Sequence, residues 1–145
     1  MKLSPFETIA KPHNDILKGN FTADTYAAKL GQVVKNEGPL EYRNAQRFFE
    51  RTHETNGLTA LLNGVEGRLR GRNRMNQDPI IQLQTPFGGG KTHTLIALYH
   101  KGKEWKATPV AIVGSEMDTT DTFWGQIEKQ LTGSVNNLNL SLIHI

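Results

Sequence analysis

Three consecutive glycines followed by a lysine and a threonine, Gly88-Gly89-Gly90-Lys91-Thr92, constrain this chain more than any other feature. Residues without a Cβ reach left-handed backbone conformations at little cost and let a ligand approach the main chain closely. The pattern is the second half of the Walker A signature, G-x-x-x-x-G-K-[ST], whose backbone N–H groups cradle a polyphosphate. The first glycine of that signature is missing, and Thr85 stands in its place. The expected binding set is Thr85, Pro86, Phe87, Gly88, Gly89, Gly90, Lys91, Thr92 and His93. Lys91 is expected to meet the β- and γ-phosphates and Thr92 to offer its hydroxyl to Mg²⁺, so the cofactors implied are ATP and Mg²⁺. Phe87 either packs under the loop or lies near the nucleotide. His93 faces the nucleotide or, as the plainer alternative, packs as a structural histidine.

The flanks are those such a loop needs. The run Pro79-Ile80-Ile81-Gln82-Leu83-Gln84 is apolar and β-branched, which predicts a buried strand. A helix is expected over 91–101, with Leu95, Ile96, Leu98 and Tyr99 as apolar surface and Gly102 as its stop. Its N-terminal N–H groups and dipole would favour an anion. Pro109-Val110-Ala111-Ile112-Val113 predicts a second strand, and 121–131 a further helix carrying Phe123, Trp124, Ile127 and Leu131. Tyr99, Phe123 and Trp124 are expected in the core. The order strand, loop, helix, strand, helix predicts an α/β fold: a truncated P-loop NTPase parallel sheet preceded by a helical N-terminal region.

That N-terminal region spans 1–77. Ser4-Pro5-Phe6-Glu7 has the form of a capping box, with a break near Lys11-Pro12. Tyr26, Leu30, Val33 and Val34 share one face of a helix over 24–35, which Gly38-Pro39 ends. Asn44 is placed to cap a short helix holding Phe48 and Phe49. Leu58, Leu61, Leu62, Val65 and Leu69 form the apolar face of a helix over 55–69. The start of the ATPase domain occupies 78–133, and 134–145 is expected to be irregular. The closing Leu140-Ser141-Leu142-Ile143-His144-Ile145 resembles translated sequencing-adapter read-through, so a non-native tail is expected there.

Composition narrows the chemistry. There is no cysteine, which excludes disulfides, thiolate metal sites and cysteine nucleophiles. Nothing approaches the ~18 apolar residues of a membrane span, and the first residues lack the apolar stretch of a signal peptide. A cytoplasmic protein without a membrane partner is expected. The formal net charge of +3 is too small to argue for nucleic acid. Arg68, Arg70, Arg72 and Arg74 alternate and, if extended, would line one side and track a phosphate backbone; the alternative is a solvated linker. A Walker B strand ending in Asp is absent, so this piece is not expected to hydrolyse ATP. Glu116 and Asp118 are the carboxylates near the end of the second expected strand, either beside the nucleotide or in a solvated loop.

The segment Thr85-Pro86-Phe87-Gly88-Gly89-Gly90-Lys91-Thr92-His93-Thr94-Leu95, with Ala97-Leu98-Tyr99-His100, resembles an uncharacterised prokaryotic group of large AAA+-like ATPases. This group is catalogued as a domain of unknown function and occurs in phage-defence and DNA-modification islands, including the large ATPases of BREX-type systems. Phe48-Phe49, Arg51-Thr52-His53-Glu54-Thr55, Gly57-Leu58, Leu61-Leu62 and Arg68-Leu69 resemble its N-terminal region. Trp124-Gly125-Gln126-Ile127 and Gln130-Leu131 resemble a later helix. The resemblance covers about 5–133 and implies that this chain is the N-terminal piece of a longer ATPase. It also implies DNA or defence-complex partners and a homo-oligomer at full length. Two rival functions stand beside it. One is a nucleotide-sensing scaffold without turnover; the other is a DNA-binding module built on Arg68 to Arg74.

Overall fold

A computed structural model describes residues 5, 8, 10, 12, 14–19, 27–72, 80–86 and 88–135. Among them the chain forms α1 (Asn14–Leu17), α2 (Leu30–Val34), α3 (Leu40–Arg43), α4 (Ala45–Glu50), α5 (Asn56–Leu69), α6 (Lys91–Glu104), a 3₁₀ turn (Gly114–Glu116) and α7 (Phe123–Thr132). Local chemistry starts three of these helices. Asn44 Oδ1 accepts from Arg47 N at 3.0 Å, Thr55 Oγ1 from Leu58 N at 3.2 Å and Thr122 Oγ1 from Gly125 N at 3.0 Å. Left-handed residues also follow helices: Gly133 caps α7, and Asn36 after α2, Gly71 after α5 and Lys106 after α6 each turn the chain so that two N–H groups reach back to the last helical carbonyls. After α6, for example, Lys106 N donates to Lys103 O at 3.1 Å and Ala107 N to Gly102 O at 2.9 Å.

The core sits where α2, α4 and α5 meet α6. Its buried residues are Val33, Phe48, Ile96, Ala97 and Tyr99, with Ala28, Leu30, Val34, Tyr42, Phe49, Leu58 and Ala111 packed around them. Phe48 and Ile96 are sealed completely. The helix that follows the glycine loop is therefore held by the helices that precede the loop in sequence. α6 runs past the stop expected at Gly102. That glycine is buried instead because an added Cβ would sit 3.3 Å from Pro109, so the bare position lets the next segment cross close over the helix.

The expected α/β parallel sheet is not what forms: the described residues are helices and irregular chain, with no strand. Residues 80–86 are non-helical, and Ile80 is 77% exposed rather than buried. Residues 107–113 are also non-helical and, Thr108 apart, half-buried, but no described backbone ladder joins them to 80–86. A strand exists only through its neighbour. Here the neighbour's place is taken by a side chain: Ala111 N donates to Gln130 Oε1 at 3.1 Å, and Gln130 Nε2 donates to Ala111 O at 2.9 Å. One amide thus satisfies both main-chain groups of Ala111, and the segment docks on α7 instead of on a strand.

Other expectations also shift. The helix expected over 24–35 is present over Leu30–Val34, with Lys29 extended; Asp24 and Tyr26 lie outside the described residues. So do Ser4, Phe6, Glu7, Lys11, Arg74, Pro79 and the tail from 136. Phe123 and Trp124 are 57% and 48% exposed, not core. They stack edge to face at 5.7 Å on the outer side of α7, which buries Gly125 and Glu128.

Candidate functional site

The loop ahead of α6 has the backbone that its glycines permit. Gly88 and Gly90 are left-handed, with φ of 79° and 76°. Gly89 has an ordinary φ but no room: an added Cβ would meet Thr85 Oγ1 at 2.5 Å and Pro86 O at 3.0 Å. Gly89 N donates to Pro86 O at 3.0 Å, closing the turn. Thr85, in the place of the first signature glycine, thus packs against the space that Gly89 leaves bare. Phe87 lies outside the described residues.

Lys91 folds back over this turn. Its Nζ donates to Thr85 O at 2.9 Å, Pro86 O at 3.1 Å and Thr85 Oγ1 at 3.2 Å, which engages all three ammonium donors. The start of α6 has no side-chain cap and no acidic residue in its first turn. Its first N–H groups have no intrahelical acceptor. Thr92 is exposed and lines a cleft of about 590 Å³ together with Leu30, Leu95, Ile112, Ser115 and Glu116. Ammonium, hydroxyl and uncapped N–H groups with no carboxylate in the first helical turn are a donor set suited to an oxyanion.

His93 points elsewhere. Its ring stacks on Phe48 with centroids 4.5 Å apart, and its Nε2 lies 2.9 Å from Thr52 Oγ1. Thr52 gives its one hydroxyl proton to Phe48 O at 2.7 Å, so it accepts from His93, which is protonated on Nε2. His100, two turns along, is the second half of the same seam: Nε2–H donates to Tyr42 O at 2.7 Å, and the ring sits 5.5 Å from Phe48. The two histidines lie seven residues apart, about two helical turns, so both fall on one face of α6, and that face meets the core. Of the expected binding residues that are described, His93 is thus the one whose side chain is committed to the core.

Burial lowers the pKa of His93 from the ordinary imidazole value. Burial also lowers that of His100, aided by the Lys103 charge and opposed by the bond to Tyr42. Both are neutral in the fold and protonate more readily in the unfolded chain, so their stabilisation is complete above about pH 6.5 and falls as pH drops through the lowered values. Urea midpoints are expected to fall between about pH 7.5 and about pH 5, and less steeply in His93→Gln, whose amide keeps a donor for Thr52. Equal slopes in the two proteins would contradict a buried neutral His93.

Arg68, Arg70 and Arg72, the described members of the expected row, do not alternate along an extended segment. Arg68 belongs to the last turn of α5, Arg70 Nε pairs with Glu66 Oε1 at 2.7 Å, and the left-handed Gly71 turns the chain before Arg72. Asp118 sits in a turn in which its N–H donates to Asp121 Oδ2 at 3.0 Å. Glu116 accepts from Lys35 Nζ at 3.3 Å and lies against Gly31, where any added Cβ would strike its carboxylate. Nothing in the sequence assigned a structural role to Gly31, Lys35 or Gln130. Each acts on a partner far along the chain, and no local spacing reports that.

The model of a family described as DUF499 N-terminal domain matches residues 1–143, and the chain belongs to that family. It is a family of unknown function. Neither a curated protein nor a solved structure matches the chain. No helix among the described residues is long and apolar enough to cross a membrane.

Proposed function

We propose that this domain binds ATP with Mg²⁺ through 85–92. The observation that supports this best is the loop itself: two left-handed glycines flank a third that has no space for a side chain, directly before an uncapped helix start carrying Lys91 and Thr92. Thr85 and Pro86 shape the turn, Gly88 to Gly90 bring bare main chain to the phosphates, Lys91 supplies charge and Thr92 a hydroxyl for the metal ion. The bound nucleotide supplies the phosphoanhydride whose hydrolysis a longer parent chain would use. Following the resemblance to BREX-type ATPases, that use lies in a DNA-related or phage-defence process.

Lys91 has a cost to meet. Its three hydrogen bonds within the loop must be exchanged for bonds to phosphate. All three acceptors belong to exposed residues, so water can replace the ammonium there. The negative charge of a polyphosphate favours the exchange. The test is a titration of the 145-residue chain with a fluorescent ATP analogue and Mg²⁺. Saturable binding that ATP displaces and adenosine does not is the expected result. A folded chain that shows no saturable binding refutes the proposal.

A further inference from the structure

Two Asn-Gly pairs lie seven residues apart in α5: Asn56-Gly57 in its first turn and Asn63-Gly64 in its middle. An asparagine followed by glycine carries its own reaction. The glycine main-chain nitrogen bonds to the side-chain amide carbon, its proton departs with the amide nitrogen as ammonia, and a five-membered imide remains. Water then opens the imide to aspartate or isoaspartate. Glycine favours the step because no Cβ hinders the attacking nitrogen and the backbone turns freely. The net change is water taken up and ammonia lost, with no oxidant or cofactor.

The fold treats the two pairs differently. Both asparagines are exposed, so access to water does not separate them. Main-chain bonding does. Gly64 lies four residues after Ala60 inside α5, so its N–H is held by the Ala60 carbonyl in the helical ladder. Gly57 is the second residue of α5, where an N–H has no carbonyl of its own helix to reach. Its nitrogen has no acceptor among the described residues, and the Thr55 cap goes to Leu58 N instead. Space is open as well: a Cβ added at Gly57 would come no closer than 4.0 Å to Thr55 Oγ1. Turning Asn56 into line with Gly57 N breaks only bonds of the first turn, such as those of Leu58 N and Thr59 N to Thr55. The same movement at Asn63 interrupts the ladder on both sides. Fraying of a helix end costs almost nothing, whereas opening the middle of a packed helix approaches the stability of the whole domain.

We propose that Asn56 is a site of spontaneous deamidation in the folded protein, while Asn63 is protected by the same helix. The modification reaches the core. Isoaspartate at 56 adds a carbon to the main chain between Thr55 and Leu58, so the cap no longer fits, and Leu58 packs against the buried cluster of Phe48 and Ile96. Plain aspartate there leaves the main chain unchanged and meets the positive end of the helix.

The test incubates the intact chain, folded by circular dichroism, at mildly alkaline pH. Fragment-ion mass spectrometry then follows both sites in the tryptic peptide 52–68, which carries the two. In the folded chain Asn56 is expected to convert at least about tenfold faster than Asn63. In urea the two rates are expected to agree within about twofold, since the helix is gone and the Asn-Gly sequence is shared. Gly57→Ala is expected to slow conversion at 56 in both conditions. Equal rates in the folded chain, faster loss at Asn63, or reaction at neither site until urea is added each overturns the proposal. Asn56→Asp supplies the plain aspartate and is expected to keep the wild-type urea midpoint, whereas the chain enriched in isoaspartate is expected to unfold at lower urea. An isoaspartate chain that unfolds with the wild type overturns the link to the core.

Discussion

Lys91→Ala is expected to lose Mg-ATP binding while every helix stays formed. The ammonium is the charged side chain of the loop, and charge-assisted hydrogen bonds to phosphate contribute about 1.5–3 kcal/mol each. Losing about 2.7 kcal/mol raises Kd roughly a hundredfold, enough to carry a micromolar complex out of range of a titration. Stability should barely move. Lys91 is exposed, and its hydrogen bonds reach only Thr85 and Pro86 in its own loop. Surface changes of that kind stay within about 0.5 kcal/mol. Circular dichroism and a urea melt check the second half of the expectation, and the fluorescent analogue checks the first. A folded variant that binds the analogue as wild type does would show that the loop is a turn and nothing more.

The largest effect on stability is expected at Phe48. Its side chain is 1% exposed and lies among Tyr42, Phe49, His93 and His100, with ring centroids 4.5 to 6.4 Å away. It joins α4 to α6, so its contacts span the glycine loop in sequence. Truncating a buried phenylalanine to alanine costs about 3–5 kcal/mol, because transfer energy is lost and a cavity remains. Domains of this size hold about 5–15 kcal/mol in all. Phe48→Ala should therefore unfold at a markedly lower urea concentration, and His93 and His100 should titrate closer to free imidazole. Trp124→Ala, on the exposed side of α7, is the contrasting change and should cost less than about 1 kcal/mol. Equal losses from the two would mean that Phe48 is not the centre of the core.

Much of the helical part was legible because helices are local. Thr55 with the Leu58, Leu61, Leu62 and Val65 stripe predicted α5, and Asn44 predicted the start of α4. Both signals act within four residues. The C-terminal stops were less legible. Gly102 looked like an end of α6, but the left-handed residue is Lys106, and Gly102 is bare for the sake of Pro109. A glycine needed for backbone freedom and one needed for close approach are the same letter.

The expected sheet failed for a related reason. An apolar β-branched run such as Ile80 to Leu83 states a local preference, whereas a strand requires a partner that the run cannot name. Among the described residues that partner is absent, and Ala111 is satisfied by one glutamine side chain. Phe123 and Trp124 misled similarly, since their type suggests burial but the face α7 turns inward carries Gly125 and Glu128.

By itself, then, the sequence determined the glycine loop with Lys91 and Thr92 and the starts of α4, α5 and α7, because glycine dihedrals and capping bonds depend on neighbours a few residues away. Only the tertiary structure decided that His93 serves the core, that Arg70 is held by Glu66 in a helix end, and that Glu116 stands on the cleft with Thr92. In the cases of His93 and Glu116 the deciding contact lies tens of residues away, at Phe48 and Thr52 or at Gly31 and Lys35. Packing chooses such partners by shape and burial, and neither is written in the spacing of residues along the chain.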